Sequence, residues 1–277
     1  MKLHVINTGF FKLDGGAMFG VVPKSIWQRT NPTDENNMCQ WAMRCLLIED
    51  GEQLILIDNG IGDKQSEKFF SYYYLSGDDS LHNSLKQSGF SADDVTDMFL
   101  THLHFDHCGG GVKNNAGELT FENANYWSNK DHWQWAIEPN PREKASFMKE
   151  NILPMEESGH LKFVDFDKPS PFSQFDVLSM DGHTDKQMLP KIKYKEHTIV
   201  FAADLLPSIG HIPVPYVMGY DTRPLLTMIE KADFMQEAAD NNYVLFLEHD
   251  PVNECCTVKH TDRGVRLDQT FPLKEIL

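Results

Sequence analysis

The sequence predicts a layered α/β sandwich, and three observations carry that expectation. Strand-like apolar runs fall in two batches, helical patterns are interspersed among them, and polar residues of metal-binding type stand where several of the runs end. The first batch comprises residues 2–9 (KLHVINTG), 17–22 (AMFGVV), 43–49 (MRCLLIE) and 53–58 (QLILID). Asp50-Gly51 between the last two is a hairpin signal. Helical patterns follow at 63–75 and 80–88, the second ending at Ser88-Gly89, where glycine can take the left-handed cap conformation. Residues 97–100 (DMFL) read as a short buried strand that runs into a polar loop at His102.

The second batch covers residues 173–180, 190–195 and 197–204, and a helix is expected over 224–240. Leu225, Met228, Ile229, Ala232, Met235 and Ala239 recur there at helical spacing and are assigned to the core. Residues 243–250 (YVLFLEHD) resemble a buried strand that delivers His249 at its carboxyl end. No repeat, low-complexity stretch or Gly/Ser/Pro-rich linker divides the chain, so residues 1–277 are read as one domain.

Composition narrows the classes of partner. Hydrophobic residues at 41% and charged residues at 24% describe a chain that folds. With 25 basic against 41 acidic residues the net charge is −16, which repels phosphate backbones and anionic membrane surfaces. A small molecule is therefore the expected partner, not nucleic acid or a membrane. The first residues lack the apolar core of a signal peptide, and no apolar run is long enough to span a bilayer. Five cysteines without a repeating spacing suit free thiols in a reducing compartment, so the expected location is cytoplasmic.

The stretch Thr101-His102-Leu103-His104-Phe105-Asp106-His107 carries the chemistry, because imidazole and carboxylate are the side chains that suit zinc. If His102 and His104 alternate along an extended strand end they face one side about 7 Å apart at the backbone, and both can converge on one ion. Asp106 and His107 then serve a second. Gathered without a metal, these imidazoles and the carboxylate would resist burial in their charged forms.

This motif, followed by Gly182-His183-Thr184, by Asp204 at the end of VFAAD and by His249 in FLEHD, resembles the metallo-β-lactamase superfamily along nearly the whole chain. The resemblance implies a four-layer αβ/βα sandwich with the site at one edge of two sheets. It also implies two divalent ions, zinc in the first instance. His102, His104 and His183 would hold one, Asp106, His107 and His249 the other, with Asp204 shared. Asp58, at the end of LILID, matches a family aspartate that supports the site from behind. Cys108, beside His107, reads as a small packed thiol and not as a nucleophile.

The implied reaction is hydrolysis by a hydroxide shared between two ions about 3.5 to 4 Å apart, with Asp106 shuttling the proton. An early apolar segment, residues 15–24, is similar to one in the N-acyl homoserine lactone lactonases and the methyl parathion hydrolase-like members. A small, fairly apolar lactone or ester is thus the expected substrate, with Met18, Phe19, His211 and Tyr216 as candidate pocket residues. Organophosphate triester hydrolysis on the same site and a mononuclear iron persulfide dioxygenase are the alternatives. Two departures stand out: Asp185-Lys186-Gln187 replaces the usual continuation of the third-histidine motif, and no tyrosine closely follows Asp204. Tyr216 or Tyr220 could take that tyrosine's place. The aromatic segments 69–74 and 126–135 are candidates for a lid or a homodimer contact.

Overall fold

Alternation along the central strands decides the architecture, because each successive side chain points to the opposite face of its sheet. The computed structural model describes residues 1–113 and 116–277. Its first sheet contains β1 (Lys2–Asp14), β2 (Met38–Asp50), β3 (Gln53–Ile57), β4 (Asp97–Phe99), β5 (Asn125–Asn129) and β6 (Leu161–Val164) in that spatial order. β1, β2 and β3 are antiparallel neighbours, whereas β3 to β6 run parallel. The second sheet, in the order β12-β11-β10-β9-β8-β7, contains β7 (Phe175–Met180), β8 (Gln187–Tyr194), β9 (His197–Phe201), β10 (Val244–Phe246), β11 (Cys255–Thr261) and β12 (Gly264–Phe271). Only β9 and β10 are parallel in it.

Leu46 and Ile48 of β2, Ile55 and Ile57 of β3, Ile199 and Phe201 of β9 and Val244 and Phe246 of β10 meet between the sheets. Their immediate neighbours Cys45, Leu47, Leu54 and Leu56 point the other way, into a cluster covered by α4 (Leu81–Gln87), α6 (Lys130–Ile137) and α7 (Lys149–Glu157). On the far side Val200 and Leu245 pack under α8 (Pro224–Asp240). Helix, sheet, sheet, helix: this is the αβ/βα sandwich of the metallo-β-lactamase fold. Three shorter helices, α1 (Gly15–Phe19), α2 (Lys24–Trp27) and α3 (Glu67–Phe70), and the single turn α5 (Phe105–Cys108) border the site edge. Among the described residues no helix is long and apolar enough to cross a membrane.

The hairpin at Asp50 forms as expected, with Asp50 paired to Gln53 and Gly51 at φ 62°. Elsewhere tertiary packing overrides the local pattern. The expected strand at residues 17–22 is instead α1 and a turn: the Asp14 carboxylate caps the Ala17 N–H at 2.8 Å, and Met18 and Phe19 dock into an aromatic cluster with Trp27 and Trp41. The expected helix at 63–75 shrinks to Glu67–Phe70 followed by turns. Helix α8 has the expected extent but a different buried face. Thr227, Lys231, Phe234, Met235 and Ala238 are buried, while Leu225 and Ile229 are 75% and 60% exposed. The misleading residue is Lys231, whose buried ammonium donates to the carbonyls of His211, Pro213 and Tyr216 and so occupies a position that an apolar stripe would not predict.

In the aromatic segment 126–135 Tyr126 and Trp133 are buried in the core of the first sheet, Trp127 and Trp135 are half-buried, and Lys130, Asp131 and Gln134 are exposed. In the 69–74 segment Phe69 and Tyr73 pack on Phe105 beside the site, and Tyr72 and Tyr74 face solvent. Strands β5, β6, β11 and β12 have no counterpart in the sequence expectation. Much of β12 is exposed and polar, which leaves little apolar alternation to read.

Candidate metal centre

The loops that follow β3, β4, β9 and β10 leave the sheets at one shared edge, at the carboxyl ends of the parallel strands, and the β7–β8 hairpin turns there too. That edge gathers the seven side chains singled out in the sequence into two groups. His102, His104, His183 and Asp204 form one, and Asp106, His107 and His249 form the other. In the first, His104 Nδ1 lies 3.0 Å from His102 Nε2 and 3.1 Å from His183 Nε2. In the second, His107 Nε2 and His249 Nε2 are 3.1 Å apart, and Asp106 Oδ2 is 3.8 and 3.9 Å from them. Asp204 straddles both, with Oδ2 at 3.0 Å from His183 Nε2 and Oδ1 at 3.1 Å from His249 Nε2.

Every imidazole has an acceptor at its back. The ring nitrogen away from the cluster faces Thr101 Oγ1 for His102 (3.1 Å), Glu143 for His104 (3.4 Å), Asp58 for His107 (3.0 Å), Asp221 for His183 (3.0 Å) and the Ala42 carbonyl for His249 (2.8 Å). Thr101 Oγ1 accepts there, because its own hydroxyl donates to Asp58 Oδ2 at 2.6 Å. A neutral imidazole has one N–H, so these partners claim it and turn the other nitrogen's lone pair inward. Lone pairs of several rings then confront one another at about 3 Å, which is repulsive unless a cation lies between them. Asp204 Oδ1 is likewise buried with no hydrogen-bond donor. The donor set and its orientation fit metal ions, and the acceptors behind the rings are the outer partners such ligands require.

Electrostatics point the same way. Burial drives His102 well below the ordinary histidine range and lowers His104, although Glu143 opposes the latter. Burial also acts against charge on His183 and His249, yet Asp204 outweighs it, helped by Asp221 at His183, and takes them to about 10 and about 9. His107 rises because Glu248, Asp106 and Asp204 overcome the cost of its burial. Burial alone would raise Asp204, but His183, His249 and His107 hold it far below the usual carboxylate range. Around Asp204 the centre therefore favours positive charge, which protons on His107, His183 and His249 satisfy in the absence of metal and which a metal ion would satisfy in their place, whereas His102 and His104 stay neutral. Burial pushes the Cys108 thiol up to about 12, in keeping with a packed residue and not a nucleophile.

Several supporting residues were not singled out as functional in the sequence. Glu143, Asp221 and Glu248 carry no motif spacing, and only the adjacency of Glu248 to His249 offered a hint. His132 bridges two ligand loops: it accepts the Leu103 N–H at Nε2 (2.9 Å) and faces the Asp185 carbonyl at Nδ1 (2.6 Å). Asp58 accepts from the Thr101 N–H at 2.8 Å as well as from its hydroxyl, and adopts φ 57° to do so. The unusual Gln187 accepts the Asp204 N–H at 3.1 Å, so this departure from the family pattern braces the straddling carboxylate.

Above the two groups opens a cavity of about 330 Å³ whose wall includes Leu13, Met18, Tyr73, Phe105, Met218 and Tyr220. Of the four expected pocket residues, Met18 lies on this wall, and the other three do not. Phe19 stacks on His211 at 4.4 Å between ring centres, while His211 donates to the Met18 carbonyl at 2.9 Å and meets Ser208 Oγ at 3.0 Å. The pair buttresses the wall from behind. Tyr216 packs beside the same cluster, and Tyr220 is the tyrosine of that loop that reaches the cavity.

A family model described as the metallo-beta-lactamase superfamily matches residues 44–249. Among curated proteins, an N-acyl homoserine lactonase of Bacillus thuringiensis is 31% identical over 163 residues, 55% of this chain and 56% of that protein. The match therefore spans about half the length of the curated relative. A protein of Staphylococcus aureus, described as a probable metal-dependent hydrolase, has a similar structure with a TM-score of 0.88 and 28% identity, over 98% of this chain and 96% of that one. A dizinc quorum-quenching lactonase in complex with a product gives a TM-score of 0.80 at 22% identity over 98% and 97%, a likeness of fold.

Proposed function

The chain belongs to the metallo-β-lactamase superfamily, and we propose that it is a dinuclear metal-dependent hydrolase of small, fairly apolar lactones or esters. The observation that carries this reading is the convergence of inward lone pairs from five backed imidazoles and a straddling Asp204 beneath a largely apolar cavity. His102, His104, His183 and Asp204 would hold one ion, and Asp106, His107 and His249, with the other oxygen of Asp204, the second. The nitrogen-rich donor set favours zinc. Bound there, such ions supply Lewis acidity and a water of lowered pKa.

The remaining work falls to the protein's own groups. Asp106 reaches the cavity wall, where its carboxylate can take the proton of an attacking water and return it to the leaving oxygen. Burial pushes the Tyr73 phenol up to about 12, and partial burial beside Tyr73 and Asp106 raises Tyr220 too. Both phenols therefore stay protonated near neutral pH and can donate to an oxygen that gains negative charge. Leu13, Met18, Phe105 and Met218 suit an acyl or alkyl chain and exclude water around it. The lactonase relative supports a cyclic ester as one such substrate.

The test is metal content per chain measured together with turnover of a panel of lactones, aryl esters and phosphotriesters. Two divalent ions per chain and hydrolysis within the panel are expected, with Asp106→Asn slower by about 10²- to 10³-fold. A fully loaded protein inert across the panel, or Asp106→Asn turning over at the parent rate, overturns the proposal.

A further inference from the structure

The cavity above the metal groups holds one permanent cation among its lining residues, Arg142, in a chain whose net charge is −16. Its backbone is fixed by the turn that precedes it: Asn140 Oδ1 accepts the Arg142 and Glu143 N–H groups at 2.9 and 3.2 Å. The neighbouring Glu143 is buried and bonded to Trp135 Nε1 at 2.7 Å as well as to His104. The arginine therefore stands on a rigid base. Its Nη2 donates to the backbone carbonyls of Gly219 and Asp221, the latter at 3.3 Å, and Asp221 is the residue that backs His183. The guanidinium is thus anchored to the backbone of the residue that supports the first metal group.

That anchorage employs one nitrogen. A guanidinium has five N–H donors in a planar fork, and the donors on Nη1 and Nε take no part in the anchoring bonds. Among the described residues no carboxylate lies within ion-pair distance of Arg142, whereas Arg223, which precedes α8 and does not line the cavity, is paired with Asp185 at 2.6 Å. The carboxylates of the cavity wall are otherwise engaged: Asp106 and Asp204 in the metal groups and Glu143 behind His104. An exposed arginine, left without an anion at the mouth of a cavity and aimed by a braced turn, suits bidentate recognition of a carboxylate or another oxyanion.

We infer that Arg142 is a specificity-determining residue, and that it selects substrates bearing a negatively charged group a few bonds from the scissile ester or lactone carbonyl. The inference rests on the hydrolase reading and adds to it the class of substrate: an apolar ester or lactone with an anionic substituent. The charged group pairs with the free donors of Arg142 while the carbonyl sits over the two metal groups. Arg142 takes no part in bond breaking. It acts on binding, and the exposure of its side chain makes that contribution sensitive to salt.

The test compares two matched substrates, p-nitrophenyl pentanoate and its ω-carboxylate counterpart, the p-nitrophenyl monoester of adipic acid, with the metal-loaded parent, Arg142→Gln and Arg142→Lys. Arg142→Gln is expected to raise KM for the anionic ester about tenfold, to leave kcat within about twofold, and to change neither constant for the neutral ester. Arg142→Lys restores part of the preference, because charge returns without the fork. The preference also weakens as salt rises from 0.05 to about 0.5 M. An independent readout is calorimetric binding of adipate against its monomethyl ester, in which Arg142→Gln weakens the dianion selectively.

If the parent shows no preference for the anionic ester, or if Arg142→Gln slows both esters alike, the arginine is only a latch between its turn and residues 219–221, and the inference fails. Should the parent hydrolyse neither ester, the reaction assignment is at fault. The binding measurement then still decides, since equal adipate affinity in parent and Arg142→Gln refutes the role of Arg142.

Discussion

Replacing Asp221 by alanine tests whether the carboxylates behind the imidazoles govern metal affinity. The side chain makes one contact with the centre, Oδ1 to His183 Nδ1 at 3.0 Å, and both residues are 2% exposed. Its backbone bonds, N–H to the Met218 carbonyl and C=O from Arg142, survive the substitution. What is lost is the group that holds the proton on Nδ1 and directs the Nε2 lone pair inward. A buried hydrogen bond with a charged partner contributes about 1.5–3 kcal/mol, and about 1.4 kcal/mol is a factor of ten, so the ion proposed at His102, His104 and His183 should bind roughly 10- to 100-fold more weakly. The second proposed ion should keep its affinity, because His107 and His249 are backed by Asp58 and the Ala42 carbonyl. A competition titration against a chromogenic chelator resolves the two affinities, and melting of the chelated proteins separates a metal effect from a folding effect. Asp221→Asn keeps an acceptor without the charge and should fall between parent and alanine. Both affinities within twofold of the parent in Asp221→Ala would refute the reasoning.

Three other outcomes are expected. His132→Ala strips the partner from the buried Leu103 N–H and the Asp185 carbonyl, and should cost about 2–4 kcal/mol in urea unfolding of the chelated protein; a loss under 1 kcal/mol would mean that these loops do not depend on the bridge. On α8, Phe234→Ala should cost about 3–5 kcal/mol while Ile229→Ala stays within about 0.5 kcal/mol, and the reverse order in unfolding midpoints would overturn the observed helix face. For His211, burial depresses the folded-state pKa to about 3, from about 6.5 in the unfolded chain. A depressed base stabilises through its neutral form, so its contribution is complete above about pH 6.5 and is lost as pH falls toward 3, by about 2 kcal/mol at pH 5. The parent should accordingly lose about 2 kcal/mol more than His211→Asn between pH 7.5 and 5 in unfolding of the chelated proteins, and equal losses would contradict the buried neutral role.

By itself the sequence determined whatever local pattern can encode. The Asp50-Gly51 turn carries its own φ preference, the runs at 43–49 and 53–58 declare a buried hairpin by composition, and the His102 to His107 cluster is too dense in ligand-type side chains for an ordinary loop. His183, Asp204 and His249 were legible because each ends or follows a strand-like run in the order that the superfamily uses. Tertiary structure alone decided what depends on distant chain segments meeting. Asp221 lies 38 residues from His183 and Glu143 lies 39 from His104, so no spacing rule connects either pair. Residues 17–22 read as a strand until the Asp14 cap and the Trp27–Trp41 cluster are in place to favour a helical turn. Lys231 is no member of the apolar stripe expected of α8, and only the fold brings three carbonyls from the 211–216 loop to its ammonium in the interior. Propensity and periodicity act over a few residues, whereas burial, hydrogen-bond satisfaction and charge pairing act across the whole folded chain, and where the two disagree the larger free energy of packing prevails.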